Sequence, residues 1–452
     1  MAMATHNRYA PASRVLLGAW LLVAAAAAGA QTAGEVEFAR GVGFAQTPGQ
    51  TPRTLGRGLE LKEGDRLTTS EGGSAIIKLQ DGTRMTVRPN SELVLSQYHF
   101  KENAPDNSML MQLVRGGFRA VTGLISKGSP SAARVQTSTA TIGIRGTDFD
   151  ARVCAKDCAQ ESQQVAATAR PNAIQASAKI ATAQGEVYAV DAEGHRRRVV
   201  EGGSVYPGDV VETMPGTRAV LAFRDESRVT LGSNSRFRVD NFVYDESNAG
   251  EGRFLATLLR GSVRALTGLI AKANNRNVGF STPTATIGIR GTGFDAACGG
   301  TECSEVTLWT WLGSIAVTKQ GDTALSMLQA GQGLFITPSS IQPVFNEPAA
   351  DGPRPDGVNV DPKLFSTQPV SDAQEGLFVF VRDGHIEIAT ASQVLELGKG
   401  EAGFADNNGD TARPTLVPKF IDFDKVPLPT TKNPLLVTVL SDAGIKAQNQ
   451  CK

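Results

Sequence analysis

One nine-residue string occurs twice in this chain, and that constrains its fold more than any other feature. Residues 139–147 read TATIGIRGT, and residues 284–292 read the same, 145 positions later. Residues 113–127 (LVRGGFRAVTGLISK) recur with substitutions as 258–272 (LLRGSVRALTGLIAK) at the same offset. Further upstream Gly64 and Asp65 match Gly208 and Asp209, and Asn90 and Ser91 match Asn234 and Ser235, at an offset of 144. The change of offset falls between Ser91 and Leu113, where a surface loop around 101–108 absorbs one residue without disturbing a core. Such identity at a fixed period marks an internal duplication.

Each copy carries the pattern of strands. Ile77 and Leu79 flank Lys78, a turn follows at 80–83 (QDGT), and Met85 and Val87 flank Thr86. The second copy repeats this at 220–223, 224–227 and 229–231. Period-two alternation broken by Asp-centred turns predicts half-buried hairpins. With 48 glycines and 6% aromatic residues, many short strands joined by tight turns are expected. The fold class read from the chain is all-β.

The order of the shared signals resembles the FecR family. They are an opening Gly-Glu-Val, a Gly-Asp-x-x-x-Thr element, an Asp-centred hairpin, Leu-x-x-Gly-x-x-Arg, and finally TATIGIRGT followed by x-Phe. The resemblance covers about 34–151 and 185–337. It implies tandem solenoid-like, twisted β modules of short strands, with a further C-terminal β-hairpin unit. It also implies a periplasmic signalling role through protein contacts. Founding members relay a signal to a cytoplasmic sigma factor. Because only about 30 residues precede the first copy, the fold, the compartment and a general interaction role are expected here, and the sigma-factor activity is not.

The expected layout is a signal peptide over 1–30, a first domain over 34–158, a connector over 159–184 and a second domain with its closing hairpin over 185–337. A proline-rich linker over 338–374, a separate hairpin unit over 375–405 and a tail over 406–452 complete it. The first copy shows no closing hairpin before the connector. The signal peptide is read from Arg8 and Arg14, the apolar run 15–28, and the small residues Ala28, Gly29 and Ala30. The apolar stretch is too short for a membrane span, which needs roughly 20 residues. No later segment qualifies, so the mature chain is expected in the periplasm or outside the cell.

Chemistry for catalysis is sparse. His99 aligns with Val243 and His195 with Thr51, so neither belongs to the repeated core. No phosphate loop or metal-binding helix motif is present, and no cofactor or metal is expected. Lys plus Arg equals Asp plus Glu at 45 each, which gives no basic excess for nucleic acid. The shared polar residues, Asp65/Asp209, Asp81/Asp225, Arg119/Arg264 and Asp150/Asp295 among them, read as turn and sheet supports. The best binding candidates are Arg145 and Thr147 with their repeats Arg290 and Thr292, since a guanidinium on a small-residue loop can clamp an anion. The same structural demand is expected of both arginines. Trp309 and Trp311, on one strand face, are the feature a glycan site would use. The expected partner is another envelope protein, with glycan as the alternative. Cys154 with Cys158 and Cys298 with Cys303 follow matching Phe-Asp-Ala strings and predict one local disulfide per copy. Cys451 is left over.

Overall fold

The computed structural model describes residues 32–128 and 132–423. The expected signal peptide and Cys451 lie outside them. Strands dominate, arranged as one fifteen-stranded sheet and two nine-stranded sheets. The first copy and its additions form the large sheet, and the second copy is built from the two smaller ones. Their apolar faces enclose separate cores, one per copy.

Local chemistry explains the hairpins. Strands Ser74–Leu79 and Arg84–Val87 pair antiparallel around a turn in which the Asp81 carboxylate accepts from the Thr83 N–H and hydroxyl. Asp225 repeats this with Ser227 between Arg218–Phe223 and Arg228–Leu231. Such Asx turns cap the peptide groups that the reversal leaves unpaired. Both copies also contain an uncommon parallel pairing, Ala133–Gln136 beside Ser108–Val121 and Val278–Ser281 beside Arg253–Arg260. Gly116 and Gly261 have φ of +73° and +81°, and a Cβ on either would meet a serine Oγ, of Ser91 or Ser235, at 2.3 and 2.2 Å. Only glycine fits there.

The second copy closes itself. Strand Ala285–Ile289 pairs with Ser314–Lys319, which pairs with Leu325–Gln329, while Gly293–Gly299 pairs with Glu305–Leu312. In the first copy the corresponding edge is Thr141–Cys154, and its partner is Gly376–Ala389. The expectation that the 375–405 hairpin stands apart is therefore corrected. It pairs along the whole of Thr141–Cys154, satisfying an edge of peptide groups that would otherwise be unbonded. It also contributes Leu377, Val379, Val381, Ile386 and Ile388 to the first core. Gly384 and Gly313 mark the same point of the two closing hairpins: a Cβ on either would lie 2.3 Å from a backbone oxygen, of Gly146 or Gly291.

The expected linker over 338–374 is likewise corrected. Ile341–Val344 is a strand on Gln332–Ile336, and the residues after it cross the second copy as a strap. There the Asp351 carboxylate accepts from Arg218 at 2.6 Å and the Pro353 carbonyl from Thr230 at 3.0 Å. The first copy has its own strap in Lys419–Asp422, whose Phe420 and Ile421 are fully buried.

Candidate functional site

The two identical loops hold their threonines alike and their arginines differently. The Thr147 N–H donates to Thr122 Oγ1 at 2.7 Å and its hydroxyl to the His385 carbonyl at 2.8 Å. The Thr292 N–H donates to Thr267 Oγ1 at 3.0 Å and its hydroxyl to the Ser314 carbonyl at 2.7 Å. Each threonine thus ties its loop to the closing hairpin of its own copy. Arg145 donates to Glu387 at 2.9 Å and lies 3.6 Å from Glu396. Arg290 is exposed, and among the described residues its side chain has no hydrogen-bond or ion-pair partner. Strand register supplies the reason. Glu387 faces Gly143 and Glu396, while Ala316 faces Gly288 and Met327. The two acids of the first copy are an alanine and a methionine in the second. One structural demand on both arginines, expected from the sequence, is not what the fold imposes.

The other shared polar residues hold the sheets and straps. Arg53 pairs with Asp65 at 2.5 Å, and Arg197 pairs with Asp209. Arg119 meets Asp150 at 2.7 Å and donates to the Ile421 carbonyl of its strap. Arg264 meets Asp295 at 3.0 Å and donates to the Gly352 carbonyl of the other strap at 3.1 Å. Cys154 is disulfide-bonded to Cys158 and Cys298 to Cys303, one bond per copy. Trp309 is only 6% exposed. Trp311 donates its indole N–H to Asp295 at 3.0 Å, and the Arg354 guanidinium lies 5.0 Å from its ring centre.

The densest polar cluster lies where the closing hairpin of the first copy meets the opening strands of the second. Lys179 and Glu401 are both 0% exposed, 3.1 Å apart, and Arg413 donates to Glu401 at 2.9 Å. Two cations here face one carboxylate. Burial, reinforced by the positive charge of Arg413, pushes the Lys179 ammonium down to about 8, while Lys179 and Arg413 outweigh burial and hold Glu401 below the usual carboxylate range. Burial raises Glu396 to about 7 against the pull of Arg145, with the Glu387 carboxylate adding to the rise. His385, packed edge-on against Tyr206 at 5.8 Å, has an Nε2 with neither solvent nor hydrogen-bond partner among the described residues. Burial and the nearby Arg197 and Lys179 push its pKa down to about 3, so it is neutral at physiological pH. A cleft of about 460 Å³ opens beside the cluster, lined by Glu201, Asp361, Lys363, Gln393, Glu396 and Arg413.

Sequence reasoning missed this junction. Lys179 and Glu396 occur singly in apolar strands, where a charged residue ordinarily marks a solvent-facing position, and Glu401 follows a Gly-Lys-Gly turn. Asp191, Glu193 and His195 also gather at a surface turn, with ligand-type atoms within 4.8 Å, and the His195 ring is hydrogen-bonded to Asp191. None of the described helices is long and apolar enough to cross a membrane.

Comparison with known proteins agrees with the repeat. The family described as FecR protein matches at residues 65–174 and 209–315, once in each copy. No curated protein matches the chain. Two crystal structures of a candidate anti-sigma factor from Parabacteroides distasonis, at 1.65 and 2.50 Å resolution, are each 13% identical to it. Each match has a TM-score of 0.25 and covers 30% of this chain and 60% of that one. The likeness thus spans three fifths of that protein, and at this TM-score it bears on neither fold nor function. Two family matches, coincident with two copies of one β module, carry the assignment: the chain belongs to the FecR family and contains its domain twice.

Proposed function

We propose that this chain is an exported, non-catalytic regulatory protein of the FecR type, working in the periplasm or outside the cell by binding another envelope protein. Family membership supports a regulatory role. The observation that carries the rest is how the recurring polar residues are used. In both copies they brace turns, straps and sheet edges, as Arg119–Asp150 and Arg264–Asp295 do. What the edges of the sheets offer to solvent is a surface for contact, with Leu325, Met327 and Val394 exposed. The two disulfides suit an oxidising compartment.

Glycan binding is the weaker reading. Sugar rings stack on open aromatic faces, whereas Trp309 is buried and Trp311 is engaged by Asp295 and Arg354.

The test is fractionation of the native host, followed by capture from envelope extract. The protein should appear in the periplasm or medium, begin within a few residues of Gln31, and retain both disulfides in an unreduced tryptic map. Capture should enrich a protein rather than a polysaccharide. Cytoplasmic protein with free thiols would reject the proposal, as would capture of glycan alone.

A further inference from the structure

The chain contains one interface between its two copies, and the repeat shows where a second interface of that kind would form. The closing hairpin of the first copy, its tail, receives the opening turns of the second, its head. Lys179 of the head meets Glu401 of the tail at 3.1 Å, and Ser204 Oγ lies 3.4 Å from the same carboxylate. The Tyr206 hydroxyl accepts from the Lys399 N–H at 2.8 Å. A Cβ on Gly202 would lie 3.3 Å from that of Glu396.

Backbone hydrogen bonds fix the counterparts. The Gly58 N–H donates to Val36 as the Gly202 N–H does to Ile180, both at 2.8 Å, so Glu35 and Glu60 stand where the second copy has Lys179 and Ser204. On the tails, the Gly400 and Gly331 N–H groups donate to Val381 and Thr310, also at 2.8 Å. Glu387, Glu396 and Glu401 therefore correspond to Ala316, Met327 and Gln332. The tail of the second copy is uncovered, with Leu325 59% and Met327 43% exposed and Arg290 also exposed. The head of the first copy is uncovered too: Glu35 and Glu60 are exposed, whereas Lys179 and Ser204 are buried.

Charge decides what fits. The internal tail carries three acids and meets a lysine. On the free tail all three acids are absent and Arg290 stands without a partner among the described residues. The free head carries two acids instead of a lysine and a serine. Acids retained on the free tail would have repelled Glu35 and Glu60; their replacement removes that repulsion and leaves Arg290 to attract them. We propose that a second copy of this chain docks head to tail, setting its Glu35 and Glu60 against Arg290, Met327 and Gln332. The two surfaces differ, so the contact is heterologous and can add chains along one line. The proposal requires neither export nor the envelope partner proposed above.

Cross-linking tests it directly. A Cβ on Gly398 would lie 3.1 Å from Ser204 Cβ, and the corresponding pair across two chains is Gln329 and Glu60. Purified Glu60→Cys and Gln329→Cys proteins, both carrying Cys451→Ser, should form a covalent dimer when mixed under mild oxidation. A peptide joining positions 60 and 329 should be recovered from it. Sedimentation of the unaltered protein should show mass rising with concentration. Arg290→Glu should weaken association about tenfold or more, and Glu35→Arg on the partner chain should restore it. A monomer at every concentration, with no 60–329 link, overturns the proposal. So does cross-linking that places residues 424–452 of the same chain on Met327, or association indifferent to Arg290→Glu. If these results go against it while the envelope capture still succeeds, only the self-association is lost.

Discussion

Arg145 and Glu387 are 242 residues apart in the chain and 2.9 Å apart in the fold. Their contact joins the repeated loop of the first copy to a hairpin that follows the entire second copy. The second copy makes the equivalent closure within its own contiguous sequence and lacks the acid, so one string of nine residues sits in two electrostatic settings.

The two arginines should therefore respond differently to removal. Arg145→Ala leaves Glu387 and the buried Glu396 without their guanidinium and should cost about 1–2 kcal/mol, a modest value because the pair is partly solvated. Arg290→Ala removes an exposed side chain and should change stability by less than about 0.5 kcal/mol. Urea unfolding of both variants decides the matter, and a larger loss for Arg290→Ala would contradict the assignment.

At the junction the asymmetry of charge predicts an asymmetry of damage. Glu401→Gln leaves Lys179 and Arg413 buried together without their hydrogen-bonded counter-charge and should cost about 3–5 kcal/mol. Lys179→Met leaves Glu401 paired with Arg413 at 2.9 Å and should cost less, below about 2 kcal/mol. Equal losses from calorimetry would show that the three groups do not share one charge balance.

Glu396 gives the fold a pH dependence of definite sign. Its carboxyl is raised from 4.5 to about 7 in the folded protein, so between those values the folded state holds a proton that the unfolded chain has released. Stability should fall as pH rises through that window, by up to about 3 kcal/mol. Glu396→Gln should flatten the slope. A smaller dependence should persist from Asp148, which burial raises to about 6. Denaturation midpoints at pH 5 and pH 7.5 measure both, and an unchanged slope in the variant would remove Glu396 as its source.

Ending the chain after Glu375 should disable the first copy and spare the second. The outer edge of Thr141–Cys154 would lose its partner, and the core would lose Leu377, Val381 and Ile386. Hydrogen exchange should show protection lost across the strands of the first copy and kept in Ala285–Ile289 and Glu305–Leu312. Full protection in both would mean that the hairpin is dispensable.

The duplication, the hairpins around Asp81 and Asp225 and the cysteine pairs were legible because each is local, written within a few residues. The two closing hairpins were legible as hairpins for the same reason, from Gly313 and Gly384 with the alternating residues after them. Which edge the later one completes was not, since nothing near Gly384 records a partner more than two hundred residues upstream. Lys179 and Glu401 escaped notice for a related reason. Lys179 reads as the polar position of an alternating strand and Glu401 as the end of a Gly-rich turn, and the two are buried where the copies meet.

The placement of Gly376–Ala389 also sets an order of events as the chain emerges, N-terminus first. The second copy is complete in the emerging chain before the first can be. Between the appearance of Cys154 and that of Gly376 more than two hundred residues must be made, taking about ten seconds or more at typical synthesis rates. Through that interval Ile142, Ile144 and Phe149 belong to a strand with an open edge, the kind of surface on which nascent chains recruit chaperones or stick to one another. The N-terminal half thus depends on residues made near the end, and a lesion in the late hairpin should surface first as misfolding of the early copy.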